Sequence, residues 1–155
     1  AIENLLSHKY DYYIRTNLST FIIYDRLYKY LDNIGIVNEP IYRGVYCADG
    51  NWVGGFGIIL NRPAAKKLVE IGKKPKFFNK QTSDDVLIGK IMTIIDCKCV
   101  KNEILYYQWI YNKSNNLKNI ENNDKIFIRL FWNIKTNRKA YSNAVVRLVD
   151  KFSKY

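Results

Sequence analysis

Residues 82–90 read Thr82-Ser83-Asp84-Asp85-Val86-Leu87-Ile88-Gly89-Lys90. Two adjacent carboxylates are candidates for acid–base chemistry. Asp84 can orient Asp85, bind a hydroxyl-bearing ligand, or raise its neighbour's pKa by like-charge repulsion. Taken alone, the same residues make a helix start. Ser83 is a favoured N-cap, and acidic residues in the first turn complement the helix dipole.

The remaining polar candidates are sparse. Cys47, Cys97, Cys99 and the single histidine His8 make a poor ligand set for a closed zinc site, which takes four Cys or His ligands. Cys97 and Cys99 would share a face if they lay on a strand, and they read as reduced thiols of a cytoplasmic protein. His8 reads as a surface residue. The tyrosine-rich runs around Tyr10, Tyr12 and Tyr13, and around Tyr106, Tyr107, Trp109 and Tyr111, could stack on bases or sugars, but alternating aromatics are the pattern of sheet packing. Asn17-Leu18-Ser19 and Asn112-Lys113-Ser114 match the glycosylation sequon, which carries weight only in a secreted chain.

At 155 residues, 48% of them hydrophobic and 15% aromatic, the chain is globular in composition and long enough for one core. It holds no run of the roughly 20 apolar residues a membrane helix needs, and its N-terminus lacks the layout of a secretory signal. The formal charge of +11 is compatible with nucleic acid, a membrane surface or a nucleotide diphosphate as partner. The abundance of Lys, Asn, Ile and Tyr, the residues of A/T-rich codons, accounts for the charge without a partner. That usage fits a large DNA virus or an A/T-rich microbe.

These residues need a frame, and the pattern supplies one. A short helix over Ala1 to Ser7 precedes a strand over Tyr10 to Arg15. Ser19 or Thr20 can cap a helix with the stripe Ile23, Leu27, Tyr30 and Leu31. Strands follow over Ile41 to Cys47 and over Trp52 to Leu60, the second carrying Gly54, Gly55 and Gly57. A helix with Asn61 as N-cap and Pro63 in its first turn ends before Gly72. Ser83 starts the next, with Leu87, Ile88, Ile91, Ile94 and Ile95 on its apolar side. Short strands over Cys97 to Val100, Ile104 to Ile110 and Ile126 to Trp132 surround an Asn-rich loop over Asn112 to Asp124. The last helix spans Arg138 to Phe152, with Tyr141, Ala144, Val145, Leu148, Val149 and Phe152 as its stripe. The class is α/β, a mixed sheet flanked by helices in a single domain over residues 1–155.

Three strings in order carry a family resemblance. They are Tyr12-Tyr13-Ile14-Arg15-Thr16-Asn17-Leu18-Ser19-Thr20-Phe21, the glycine-bearing strand Trp52 to Leu60 with its capped helix, and Thr82 to Lys90. Over roughly residues 1–95 the chain resembles GT-A-fold glycosyltransferases of the fringe and β-1,3-glycosyltransferase type. In those enzymes an apolar strand ends in an acidic metal motif. A Gly-Gly strand with its helix follows, and then an Asp-Asp or Glu-Asp-Val motif with a glycine four residues after its second acid. The resemblance implies the acceptor-side, C-terminal part of that fold. The βαβ nucleotide-binding half would be supplied upstream, in cis or in trans.

By resemblance, Asp85 is the base that takes the proton from the acceptor hydroxyl during inverting transfer from a nucleotide-sugar donor to a glycan or protein, with Asp84 beside it. Inversion needs a base on the face opposite the departing diphosphate. Trp52, Gly54 and Gly55 would bind the acceptor, the glycines by letting backbone approach the sugar closely. Asn17 and Ser19 stand where the family has metal carboxylates, and an amide and a hydroxyl are weak ligands for Mg²⁺ or Mn²⁺. The metal is then held elsewhere or replaced by cations on the leaving diphosphate. Arg15, Arg129, Lys135 and Arg138 are the donor-side candidates, with Asn17 and Ser19.

Two other readings stand beside the transferase. The lost carboxylates and absent donor half would suit a non-catalytic glycan-binding or scaffolding remnant of the fold. A basic nucleic-acid-binding module ranks third, because no helix-turn-helix, zinc-finger or RNP-type motif is present.

Overall fold

A computed structural model describes residues 2–47, 52–74, 82–97, 99–101, 105–110, 120, 122–131 and 138–152. In chain order these form α1 (Ile2–Leu6), β1 (Tyr12–Arg15), β2 (Thr20–Ile22), α2 (Tyr24–Ile34), β3 (Tyr42–Tyr46), β4 (Val53–Asn61), α3 (Arg62–Gly72), α4 (Asp84–Ile94), β5 (Val100–Lys101), β6 (Tyr106–Ile110), β7 (Phe127–Phe131) and α5 (Arg138–Phe152). The class is mixed α/β, as expected, but the described strands form two sheets, of four and three strands, rather than the one mixed sheet expected. The elements gather into two compact units, one of Ala1–Thr16 with Ile34–Asn102, the other of Asn17–Asn33 with Glu103–Tyr155.

The first unit is built on β4. Its sheet runs β1-β4-β3-β5, with β1 and β3 antiparallel to β4 and β5 parallel to β3. Eight of the nine β4 residues are buried, Phe56 being the half-exposed one, because this central strand is flanked on both edges and packed by helices. Its Val53, Ile58 and Leu60 join Tyr13, Tyr42, Ala64, Ala65, Leu68, Ile88, Ile91, Met92 and Cys97 in one core. The β3–β4 pairing shifts register between Gly44 and Tyr46. Gly44 sits there at φ +153°, where a Cβ would collide with the Val53 side chain and the Gly57 carbonyl.

Strand β4 passes directly into α3 because Asn61 ends one and caps the other. Its side chain accepts the Ala64 N–H, and Pro63 occupies the first turn, where a missing donor costs nothing. Gly72 is the last residue of α3 rather than the first beyond it, and Lys73 closes the helix in an ordinary αR conformation. On α4, Ile88, Ile91 and Met92 are buried, whereas Ile94 is 56% exposed. Cys97 and Cys99 lie outside any strand. Their thiols are directed at the Pro40 and Gly44 carbonyls, so the shared strand face expected of them does not arise.

The second unit pairs β2 antiparallel and β6 parallel to β7. Ile23, Ile120, Ile128 and Leu148 form its core, with Phe21, Val145 and Phe152 packed against them. Neither Ser19 nor Thr20 caps α2. Residues 20–22 are drawn into β2 by pairing with Phe127–Arg129, and the Ile23 carbonyl begins the helix by accepting the Leu27 N–H at 3.0 Å. Arg26 donates to the Lys125 and Ile120 carbonyls at 2.9 and 3.0 Å and lies over the Phe152 ring. Helix α5 has the expected bounds. Val149 is exposed, and the side chains of Tyr141 and Ala144 lie outside the described residues, as do 112–119 of the Asn-rich loop. No helix among the described residues is long and apolar enough to cross a membrane.

Candidate functional site

The three strings meet at Gly55. Alternation along β1 puts Tyr13 and Arg15 on one face, and the Arg15 side chain crosses to β4 and α4. Its Nη1 donates to the Gly55 carbonyl, and its Nη2 donates to both Asp84 oxygens, at 2.8 and 2.6 Å. The Gly55 N–H in turn donates to Asp85 Oδ2 at 3.1 Å. The two peptide groups that meet at Gly55 of β4 are therefore both held, the following one at its carbonyl by β1 and the preceding one at its N–H by α4.

Gly55 makes the clamp sterically possible. A Cβ there would occupy the place of Arg15 Nη1 and lie 2.8 Å from Arg15 Cζ. The space over Gly54 is likewise filled by the Phe56 ring. The close approach expected of a sugar at these two glycines is thus made by the chain's own side chains, and both glycines are buried. Trp52 is half-buried, and its carbonyl accepts the Cys47 N–H at 3.2 Å at the end where the chain passes from β3 to β4.

Asp85 is half-buried and well supplied with donors. Its Oδ1 accepts the Val86 N–H at 2.9 Å, and the Ser83 hydroxyl also bonds to the carboxylate. Burial, the largest single influence, pushes its pKa up. The hydrogen bonds from Ser83, Gly55 and Val86 and the charge of Arg15 outweigh it, and the carboxyl is held below its ordinary value. The expectation that Asp84 would raise its neighbour's pKa is not met, because the Asp84 charge is directed at Arg15. Ser83 has extended backbone but makes no side-chain capping bond to α4. The Arg15–Asp84 pair is exposed enough, at 28% and 62% of the two side chains, that it orients rather than stabilises.

The donor-side candidates separate. Arg15 belongs to the first unit with Trp52, Gly54, Gly55, Asp84 and Asp85. Asn17, Ser19, Arg129 and Arg138 belong to the second. The Asn17 carbonyl accepts the Thr20 N–H at 3.0 Å in the turn before β2, and Arg129 pairs across from Thr20 on β7. Arg138 opens α5 with its side chain outside the described residues, and Lys135 lies wholly outside them.

Among the described residues no three His, Cys, Asp or Glu side chains cluster as a metal site. The donors at hand do not fit a hard divalent ion. Asn17 and Ser19 are neutral, and the Asp84 carboxylate is paired with the Arg15 guanidinium.

Arg15, a donor-side candidate by resemblance, is instead the link between the strings. Its partners are 40 and 69 residues away in sequence, at distances no local pattern records. No family model matches the chain.

Proposed function

We propose that this chain is the acceptor-side part of an inverting glycosyltransferase, moving a sugar from a nucleotide-sugar to a hydroxyl of a glycan or protein, with Asp85 as the base. The observation that supports it is the Arg15–Gly55–Asp85 linkage, which joins the three strings of the family resemblance at one point. Asp85 is ionised at neutral pH, partly open to solvent, and fixed in orientation by backbone donors. A carboxylate so placed can accept the acceptor proton as the new sugar–oxygen bond forms, while the pair of electrons of the breaking bond leaves with the diphosphate. Arg15 serves this base by positioning it through Gly55 and Asp84. The diphosphate would be neutralised by cations on the donor side of the fold, with or without Mn²⁺ or Mg²⁺.

Incubating the protein with UDP- and GDP-sugars and oligosaccharide acceptors, and following nucleoside diphosphate release together with the anomeric configuration of the product, tests this reading. Transfer with inversion is the expected result. Absence of transfer, or transfer with retention, would remove it.

A non-catalytic reading has one observation in its favour. Asn17 and Ser19 replace the metal carboxylates, and the same backbone bonds that orient Asp85 would serve a purely structural joint. It predicts no thermal response to nucleoside diphosphates, with or without Mn²⁺.

A further inference from the structure

We propose that a hollow at the start of α3 binds the oxyanion of a small molecule, a phosphate or a carboxylate, through Arg62 and Lys66. The hollow holds about 400 Å³, within the range of small-molecule sites. Its walls come from Asp11 and Tyr12 at the head of β1, from residues 36–38, and from the first turns of α3. Arg15 stands at the far end of β1, so the hollow is separate from the Asp85 clamp.

Arg62 supplies the chemical argument. Its Nε is shut off from solvent and has no hydrogen-bond partner. The ion pairs among the described residues join Arg15 to Asp84 and Lys73 to Glu3, and neither involves Arg62, Lys66 or Asp11. A guanidinium N–H withdrawn from water without an acceptor carries an uncompensated desolvation cost, and its planar fork fits carboxylate and phosphate oxygens. Lys66 follows one helical turn later on the same wall. Asp11 is the one acidic residue lining the hollow, so the two cations leave it net positive.

The walls are fixed before any ligand arrives. Asn61, 2% exposed, uses both donors and both acceptors of its amide: it accepts the Ile41 and Ala64 N–H groups at 2.8 and 3.2 Å, and donates to the Glu39 and Val37 carbonyls at 2.7 and 3.2 Å. The Tyr12 hydroxyl donates to the Gly35 carbonyl, and the Arg62 N–H to the Asp11 carbonyl at 2.9 Å. These bonds tie β1, the loop before β3 and α3 together, so an anion meets cations that need little ordering. Ile36, 79% exposed, and Val37 give the rim an apolar edge. An anion carrying a ring or alkyl group therefore suits the site better than a bare ion.

Calorimetric titration of the whole chain with phenyl phosphate and with benzoate, using benzyl alcohol as the uncharged control, tests the site and ranks the two oxyanions. Saturable binding of at least one anion and none of the alcohol is expected. Arg62→Met should weaken that binding about tenfold or more and Lys66→Met several-fold, while Asp85→Asn leaves it unchanged. No saturable binding of either anion, or binding that survives Lys66→Met and Arg62→Met undiminished, would overturn the proposal. Lys66 is exposed, so Lys66→Met carries the test alone if Arg62→Met fails to fold. Binding lost in Asp85→Asn would instead place the anion at the clamp and equally overturn it. The inference stands apart from the transferase reading.

Discussion

The Gly55 N–H donates to Asp85 Oδ2 at 3.1 Å, joining the middle of the first unit's central strand to the first turn of α4. Because the Gly55 carbonyl is held at the same time by Arg15, neither of the two peptide groups that meet at Gly55 can rotate without breaking its link. The orientation of Asp85 is therefore set by backbone, with Arg15 as the outer support.

Replacing Gly55 by alanine tests that arrangement. The new Cβ would displace Arg15, the flexible end of a half-exposed side chain, and leave the strand itself paired. The expected destabilisation is about 1 kcal/mol, seen as a fall of a few degrees in Tm, together with a larger proportional loss of transfer activity. A fall of Tm large enough to unfold the protein at room temperature, or full activity, would contradict the role given to the glycine.

The depressed pKa of Asp85 sets the sign of a pH effect. A carboxyl whose folded value lies below its unfolded one adds stability above the unfolded pKa of about 4, and that stability is lost as pH falls through the folded value. Urea unfolding measured downward from about pH 5 should show the wild type losing more stability than Asp85→Asn. Because Arg15 is one cause of the depression, Arg15→Met should show a smaller loss than the wild type. Equal acid sensitivity in wild type and Asp85→Asn would contradict the hydrogen-bonding scheme.

Asn61 carries the junction of β4 and α3, and its amide is fully bonded in a buried place. Asn61→Ala removes the side-chain partner of the Ile41 and Ala64 N–H groups and of the Val37 and Glu39 carbonyls. A loss of about 3 kcal/mol is expected, a fall of several degrees in Tm. Asn61→Asp should fare little better, because it removes both donors and buries a charge.

What the sequence disclosed was local. The passage from the Gly-bearing strand through Asn61 to α3, and the bounds of α5 at Arg138 and Phe152, were legible because caps, proline and helical spacing lie within a few residues of what they govern. Strand β2 was not. Ser19 and Thr20 are good caps in isolation, but pairing with Phe127–Arg129, more than a hundred residues on, overrides them. The acidic pair was visible as a helix start, and its clamp was hidden in the separation between Arg15, Gly55 and Asp84.

The thiols offer an independent check on the first unit. Burial raises Cys97 and pushes Cys99 up to about 11, with its bond to the Gly44 carbonyl and the nearby Arg43 working the other way. At pH 8 roughly a thousandth of Cys99 is thiolate, against about a quarter of a free cysteine. Native Cys97 and Cys99 should therefore react with a maleimide far more slowly than the same residues in urea. Comparable rates in the two states, read by peptide mass spectrometry, would show that these thiols are not held beside β3.

The proposed base is Asp85, and paired rate measurements of Asp85→Asn and Asp84→Asn with nucleotide-sugar donors address that proposal most directly. Asp85→Asn is expected to lower kcat by about a hundredfold or more, with the protein still folded and Tm lowered by a few degrees. Asp84→Asn removes the ion pair with Arg15 but leaves the Gly55 and Val86 bonds to Asp85, and should cost only a few-fold. Transfer by Asp85→Asn at close to the wild-type rate would contradict the account.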